Sequence, residues 1–291
     1  MKIALVGYQK QEKFAQGVQT DEDTDLLLFL KGKGLDVVAT VWNDRNVDWN
    51  SFNVAIIKSP WDYHNHLSDF LAWLESLESL GIRVLNPAGV IRWNSHKKYL
   101  QEIASRDLPV ITSRYLQKGE VFNEQLFSDL YTDRLVLKPC VSAGAQNTIA
   151  IDSTNYENYR ADINSLLTTE DLIAQPFVEE IEEGEWSFLF FNGIYSHCVL
   201  KTPKSGDFRV QHYHGGRISY PDPNPIHVAE AKRYFDAIGQ QILYARVDGV
   251  VVNGGFRLME LELIEPYLFF DGREALMGNY YRALLALIGQ Q

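Results

Sequence analysis

Three acidic residues near the carboxyl end of the chain have a spacing that could bind a metal ion. Glu260 and Glu262 are two residues apart in the stretch "LMELELIEP", so on a β-strand their side chains lie on one face. A hairpin with a three-residue loop over 253–255 would place Asp248 opposite Glu260 on that face. Three convergent carboxylates suit a hard cation such as Mg²⁺. The alternative is a solvated acidic face on which Arg246 forms an ion pair with Glu262.

A loop of small residues follows a strand that ends in a lysine. Lys138 lies near the end of the predicted strand "RLVLKP", and Ser142, Gly144 and Gln146 belong to the loop after it. The backbone N–H groups of such a loop could approach phosphate oxygens. The loop lacks the Walker A pattern, and an ordinary turn between two strands is the alternative interpretation.

Two adjacent lysines, Lys97 and Lys98, fall in the first turn of a predicted helix that Asn94 or Ser95 would cap. Cations are unfavourable at this end of a helix, unless an anion binds close by. A lysine that extends to water is the alternative.

The stretch "LIAQPFVEE" predicts a strand that runs into an acidic loop, with the character of a hinge. The carbonyl of Pro176 could accept a hydrogen bond from a purine amine, and the N–H of Val178 could donate to a ring nitrogen. Glu185, after the acidic loop, could bind ribose hydroxyls. A charged loop without a ligand remains the alternative.

Further polar residues follow two predicted strands. Lys201 ends one strand, and Arg209 and Gln211 share a face of the next, where Arg209 could face phosphate or form an ion pair.

The stretch "SPWDYH" follows the third strand, and loops at this end of a parallel sheet line crevices. Its side chains could hold a small amino acid, or they could cover a helix end: Ser59, Trp61, Asp62 and Tyr63. Two histidine pairs lack a third ligand and are interpreted as surface residues: His64 with His66, and His212 with His214.

The elements that must position these residues are strands and helices in alternation. Up to about residue 90 the alternation predicts a parallel sheet covered by helices. After residue 184 strands dominate, with a hairpin turn at Asn192-Gly193. We expect an α/β protein with three parts, over residues 1–90, 91–178 and 179–291.

Composition limits the class of partner. The 291-residue chain is 46% hydrophobic and carries a net charge of -11, which disfavours nucleic acid and anionic membranes as general partners. No run of 18 apolar residues is present, and Cys140 and Cys198 have no metal-site spacing. We expect a cytoplasmic protein, and a homo-oligomer is left open.

The order of these motifs resembles the ATP-grasp superfamily over essentially the whole chain. Within it, the chain is similar to the glutathione synthetase-like and RimK-like branch. The segments "SPWDYH", "KTPKSGDFRVQ" and "ELELIEP" look most similar to the ligases of cycloserine biosynthesis and their relatives. The resemblance implies an N-terminal parallel-sheet domain followed by two α+β lobes that clasp ATP.

The resemblance also implies a role for each candidate residue, and an ATP-dependent ligase that joins a small carboxylate to an amine or another nucleophile through an acyl phosphate. A nucleotide-binding sensor without catalysis and an ATP-dependent phosphotransferase are the alternatives. For the phosphates, the resemblance implies that Lys97 (or Lys98) and Lys138 bind the α- and β-phosphates, that the 142–146 loop closes over them, and that Lys201 binds the γ-phosphate. For the rest of the nucleotide, it implies adenine binding by Gln175, Pro176, Phe177 and Val178, ribose binding by Glu185, and binding of two Mg²⁺ ions by Asp248, Glu260 and Glu262. Arg209 would stabilise charge on the transferring group, and Ser59, Trp61, Asp62, Tyr63 and Gln211 would bind substrate.

Two features depart from the superfamily pattern. Glu262 occupies a position that is often asparagine, and the added charge should tighten metal binding or orient a cationic substrate group. The small-residue loop has a single glycine, Gly144.

Overall fold

The first sheet of this computed structural model, which describes residues 1–9, 21–204, 210 and 215–289, is parallel, as the alternation predicts. Its strands are β1 (Lys2–Gly7), β2 (Asp36–Val41), β3 (Val54–Ser59) and β4 (Arg83–Leu85), with helices α1 (Glu22–Gly32) and α2 (Leu67–Ser79). The strand order is β2-β1-β3-β4. Every residue of β3 is buried, because both faces of this sheet are covered.

A second sheet, antiparallel, occupies the middle of the chain. Its strands are β5 (Arg114–Leu116), β6 (Arg134–Pro139), β7 (Ile149–Asp152) and β8 (Leu172–Pro176), and the nearby helices are α3 (Ala88–Asn94), α4 (Tyr99–Ala104), α5 (Gln125–Asp129) and α6 (Arg160–Leu167). The strand order is β5-β8-β6-β7. The single helix predicted around Lys97 and Lys98 is wrong, because the chain forms α3, a turn and then α4.

The third sheet is antiparallel and carries the predicted carboxylates. Its strands are β9 (Glu185–Phe191), β10 (Ile194–Thr202), β11 (Arg217–Ser219), β12 (Tyr244–Val252) and β13 (Gly255–Glu262), with helices α7 (Pro225–Ala237) and α8 (Glu274–Ile288). The order is β11-β10-β9-β12-β13, and the predicted turn at Asn192-Gly193 joins β9 to β10. Short 3₁₀ helices cover Trp49–Ser51, Tyr63–His66, Tyr156–Asn158 and Glu179–Glu182.

The turn between β12 and β13 differs from the prediction. Val252 pairs with Gly255, so the loop has two residues rather than three. Asn253 and Gly254 have φ values of 51° and 80°, and two successive positive φ values give the tight turn that matches strand twist.

A β-bulge nevertheless restores the predicted pairing. The register shifts between Asp248 and Gly249, so that Met259 is an extra residue in β13 and Asp248 lies opposite Glu260. A Cβ atom on Gly249 would lie 2.2 Å from the carbonyl oxygen of Arg257, so only glycine fits here. The predicted opposition of Arg246 to Glu262 is likewise present.

Side chains from the preceding helices hold β13, which is an edge strand. The side-chain amide of Asn94 donates to the carbonyl oxygen of Leu261 at 2.9 Å, and its oxygen accepts from the N–H of Leu263 at 3.0 Å. The hydroxyl of Tyr99 accepts from the N–H of Leu261 at 2.8 Å. Asn94 therefore ties α3 to β13, and its predicted role as a helix cap is wrong. Leu261 and Leu263 are buried on the face opposite the carboxylates, as predicted.

Each predicted part of the chain contains one of the three sheets, while the exact domain bounds stay a prediction. Apolar residues of β1 and α1 form one buried cluster with residues of β9 and α8, which joins the first sheet to the end of the chain. Among the described ranges, no helix is long and apolar enough to cross a membrane.

Candidate active site

Lys201 lies between two acidic residues of the third sheet. Its Nζ donates to Oε1 of Glu185 and lies 3.3 Å from Oδ2 of Asp248. All three side chains are largely buried. Burial lowers the pKa of Lys201, but Asp248 and Glu185 outweigh this effect, so the pKa is raised and the lysine is charged. The predicted γ-phosphate, ribose and metal residues therefore come together.

Arg246 lies at the centre of the carboxylate face. Its guanidinium binds Asp248 through Nε at 3.0 Å and Nη2 at 2.8 Å, and Nη2 also donates to Glu262. Burial raises the pKa of Asp248, but Arg246 and Lys201 outweigh it and lower the pKa to about 2. Burial raises the pKa of Glu262 to about 7, with Asp248 and Glu260 adding to the effect and Arg246 opposing it. Sequence reasoning gave this arginine only the role of an ion-pair partner.

Lys97, rather than Lys98, reaches the carboxylates. Its Nζ lies 3.0 Å from Oε1 of Glu260 and donates to the carbonyl oxygen and Oγ of Ser142 at 3.1 and 3.2 Å. Its backbone N–H donates to the carbonyl oxygen of Cys140, which fixes it beside the small-residue loop. Lys98 is 51% exposed and pairs with Asp171.

Lys138 is a second cation beside Glu260. It shares a face of β6 with Val136, as predicted, and lies opposite Ile173 of β8. Its Nζ makes no hydrogen bond or ion pair with another residue of the described ranges. Burial lowers its pKa, and Lys97 adds to this effect while Glu260 opposes it. An anion bound beside Lys97 and Lys138 would favour the charged form of both lysines, and would so offset the burial of Lys138 and the repulsion between the two charges.

The predicted metal ligands share one face but point to different cations. Glu260 faces Lys97, Asp248 faces Lys201 and Arg246, and Glu262 faces Arg246. No group of three potential ligands is close enough to hold a metal ion within the described part of the chain, so the expected convergence is incomplete. The donors are all carboxylate oxygens, and this chemistry fits Mg²⁺.

The predicted adenine residues end β8 at an apolar cluster between two sheets. Gln175 is buried, and its amide donates to Oγ of Ser113 at 2.9 Å. Pro176 is half-buried opposite Leu135 of β6. Phe177 and Val178 pack against a cluster of four buried residues: Ile111, Ile181, Val210 and Val250. An apolar edge of this kind suits a flat heterocycle, and one N–H of the Gln175 amide is already bound to Ser113.

The aromatic loop, residues 60–66, uses its polar groups within the protein. Asp62 accepts from the indole of Trp42 at 2.7 Å, and the indole of Trp61 donates to the carbonyl oxygen of Glu265 at 2.9 Å. Tyr63 is buried against Phe70. Ser59, just before the loop, is fully buried and donates to Asp23. The contact of Trp61 with Glu265 places this loop beside the end of the carboxylate hairpin, formed by β12 and β13. The polar side chains of the loop therefore also stabilise the fold.

The comparisons with known proteins agree with this geometry. Residues 3–86 match the family described as D-cycloserine synthetase DcsG, N-terminal domain, and residues 104–232 match the prokaryotic glutathione synthetase ATP-grasp domain. The chain therefore has the ATP-grasp fold. The predicted fold, an N-terminal parallel-sheet domain followed by two α+β lobes of the ATP-grasp type, is confirmed, and the sheets of both lobes are antiparallel.

Relatives of this ATP-grasp protein cover most of its length. It is 25% identical over 249 residues to the cycloserine biosynthesis protein DcsG of Streptomyces lavendulae. The alignment covers 81% of this chain and 83% of the relative. The crystal structure of D-cycloserine synthetase DcsG superposes with a TM-score of 0.83 at 25% identity, over 99% of this chain and 100% of the other. The crystal structure of a D-alanine–D-alanine ligase from Bacillus anthracis, complexed with ATP, superposes with a TM-score of 0.70 at 14% identity, over 99% of this chain and 96% of the other, and shares the fold.

Sequence reasoning missed a buried ion pair in this ATP-grasp protein. Lys58, at the end of β3, donates to Glu22 at 2.8 Å and to the carbonyl oxygen of Pro266 at 3.1 Å. Glu22 also accepts from the N–H groups of Leu268 and Phe270. The pair thus holds the segment after β13 against the first sheet. A lysine in the otherwise apolar "VAIIKS" was the signal available in the sequence.

Two predicted residues of the site lie outside the described ranges. Arg209, proposed to stabilise charge on the transferring phosphoryl group, and Gln211, proposed to bind substrate, belong to residues 205–209 and 211–214. Both assignments stay predictions.

Proposed function

We propose that this chain is an ATP-dependent ligase that joins a small carboxylate to an amine, or to another nucleophile, through an acyl-phosphate intermediate. The observation that carries the proposal is the convergence of three lysines from three separate elements. Lys97, Lys138 and Lys201 come from the turn before α4, from β6 and from β10, and each faces a carboxylate of the third sheet. This alternation of charge suits a triphosphate bound between two lobes.

The proposed reaction has two steps. A carboxylate oxygen of the first substrate attacks the γ-phosphorus of ATP, the bond to the β,γ-bridging oxygen breaks, and ADP leaves with that electron pair. The amine of the second substrate then attacks the acyl carbon, phosphate departs, and the amine loses a proton. The protein contributes positioning and charge neutralisation.

The lysines and the small-residue loop would act on the phosphates. Lys97 and Lys138 would hold the α- and β-phosphates, with Ser142, Gly144 and Gln146 closing over them. Lys201 would neutralise the γ-phosphate while it moves to the substrate. The charged form that Asp248 and Glu185 stabilise on Lys201 is the form this role requires.

Asp248, Glu260 and Glu262 would hold two Mg²⁺ ions, which would supply further charge neutralisation at the phosphates. Arg246 would orient Asp248 and Glu262, since it contacts both carboxylates. Arg209 would add a positive charge at the transferring group. Adenine would occupy the apolar edge formed by Pro176, Phe177 and Val178 beside Gln175, with Glu185 at the ribose.

The substrates we propose are amino acids or compounds of similar size. The likeness to a cycloserine biosynthesis protein supports this choice, as does the shared fold with a D-alanine–D-alanine ligase. The half-buried Trp61 and Asp62, beside the carboxylate hairpin, would border the substrate. Ser59 and Tyr63, both buried, would support them.

The test is an ADP-release screen over pairs of amino acids and hydroxy acids, with ATP and Mg²⁺. Turnover should require two substrates, and Lys138→Met should reduce it at least tenfold, because the substitution removes a phosphate-binding charge. Lys232→Met is the matched control: Lys232 is half-buried on α7, away from the carboxylates, and pairs with Asp236, so turnover should not change.

The outcomes separate the alternatives. ADP release from one carboxylate with no second substrate would indicate a phosphotransferase. ATP binding without turnover on any pair, in the wild-type protein and in Glu260→Ala alike, would indicate a nucleotide sensor. Absence of Mg²⁺-dependent ATP binding in calorimetry would refute all three functions.

A further inference from the structure

A side-chain hydrogen bond joins the aromatic loop of the first domain to the small-residue loop of the central lobe. Nε2 of His64 lies 2.8 Å from Oε1 of Gln146. The two residues are 82 positions apart, and they belong to the two loops that the sequence assigned independently to substrate and phosphate. The contact therefore connects the two ends of the candidate site.

The two sides of this contact differ in how firmly the fold holds them. On the aromatic loop, side-chain hydrogen bonds fix Trp61 and Asp62, and Tyr63 packs within the core. The ring of His64 continues this packed edge: it lies edge-on to Tyr63, and its Nδ1 is buried with no partner among the described residues. His64 is thus presented by a rigid support.

The small-residue loop has weaker support of its own. Its end near Lys97 is anchored through Ser142, but its far end is exposed at Gln146. Two backbone hydrogen bonds near that end are long, from the N–H of Gln146 to the oxygen of Ala143 at 3.2 Å and from Thr148 to Ala145 at 3.3 Å. Ala145 adopts a φ of 56°, which is unfavourable for alanine. Contact with His64 therefore contributes a fixed point at the exposed end of the loop.

We propose that His64 is a positioning residue that holds the small-residue loop closed through Gln146, and that nucleotide exchange requires this contact to break. The second half rests on the proposed function, and the first half does not. Because the aromatic loop also borders the proposed substrate site, a substrate that moves His64 would change the position of the loop over the phosphates.

The first measurement uses the nucleotide-free protein. Hydrogen–deuterium exchange of the backbone amides of residues 143–148 is compared in the wild type, His64→Ala, Gln146→Ala and the double variant. Each single change should accelerate exchange roughly 2- to 10-fold, the range of one net hydrogen bond, and the double variant should be no faster than the faster single one. His66→Ala is the control: His66 is exposed on the same 3₁₀ helix and should change nothing.

The second measurement is the dissociation rate of a fluorescent ADP analogue with Mg²⁺, in the same variants. Faster release in both single variants, with no further gain in the double variant, supports the proposal. Unchanged amide exchange in Gln146→Ala overturns it, and so do effects that multiply in the double variant. Gln146 is exposed, so this variant should fold even if His64→Ala disturbs Tyr63.

Failure of the proposed function gives a different result. A wild-type protein that binds no nucleotide refutes the ligase and the role in nucleotide exchange together, while the amide exchange still decides whether His64 holds the loop.

Discussion

Replacing Lys97 and Lys98 in turn with methionine should separate two adjacent lysines whose surroundings differ sharply. Lys97 is 6% exposed, and its Nζ contacts Glu260 at 3.0 Å and Ser142 at 3.1 and 3.2 Å. Lys98 is 51% exposed and contacts Asp171 at 3.3 Å. Methionine keeps most of the aliphatic stem, so the change removes mainly the charge. Both variants should fold, because Glu260 is 32% exposed and can be hydrated when Lys97 is lost.

The magnitude follows from the contacts that each lysine can offer to a phosphate. A charge-assisted hydrogen bond contributes about 1.5–3 kcal/mol, so Lys97→Met should weaken the binding of ATP with Mg²⁺ by roughly 10- to 150-fold. An exposed ion pair contributes at most about 1 kcal/mol to stability and does not touch the nucleotide, so Lys98→Met should change the Kd by less than about twofold.

Isothermal titration calorimetry measures both Kd values, and thermal unfolding checks that the variants are folded. An unchanged Kd in Lys97→Met would refute the assignment of this lysine to the phosphates. Equal weakening in the two variants would show that their effect is general electrostatics, independent of the position that the fold gives Lys97.

Three further predictions concern the framework of the site. Lys58→Met should lower the free energy of unfolding, measured with denaturant, by about 3–5 kcal/mol, because Glu22 stays buried without its cation. The double variant Lys58→Met/Glu22→Gln should recover part of this loss, and a double variant less stable than Lys58→Met would contradict the prediction. Gly249→Ala should cost at least about 2 kcal/mol in the same assay, because the new Cβ meets backbone at 2.2 Å, and a neutral effect would show that the bulge relaxes freely. Burial lowers the pKa of His197 to about 4, against about 6.5 in the unfolded chain, so the unfolded state binds more protons between these values. Stability from this group is complete above pH 6.5 and lost as the pH falls towards 4, by up to about 3 kcal/mol; His197→Gln should show a shallower loss over this window, and an equal slope would refute the buried neutral histidine.

Much of the hairpin could be predicted from the sequence, although for a partly wrong reason. Residue alternation puts Glu260 and Glu262 on one face and Leu261 on the other, since the side-chain period of a strand is two. The pairing of Asp248 with Glu260 was predicted from a three-residue loop. The protein reaches the same pairing with a two-residue loop and a bulge at Met259. A bulge depends on packing between strands, so sequence spacing alone does not reveal it.

The type of chemistry at the site was available from the sequence as well, because the order of charged and small residues along the chain resembles the ATP-grasp superfamily. The particular partners were not. The choice of Lys97 over Lys98 depends on a turn that links the lysine backbone to Cys140. The central place of Arg246 depends on its contacts with Asp248, on the same strand, and with Glu262, opposite it across the hairpin.

By itself, then, the sequence determined the alternation of elements in the first domain, the two-sided pattern of the carboxylate strand and the set of charges available to bind phosphate and metal, because these follow from local periodicity and residue type. Only the tertiary structure decided which cation meets which carboxylate, that Asn94 ties α3 to β13 instead of capping a helix, and that His64 meets Gln146. Most of those contacts join residues far apart in the chain, 82 positions for His64 and Gln146 and 167 for Asn94 and Leu261, and the distance between such residues is set by the packing of whole sheets and helices.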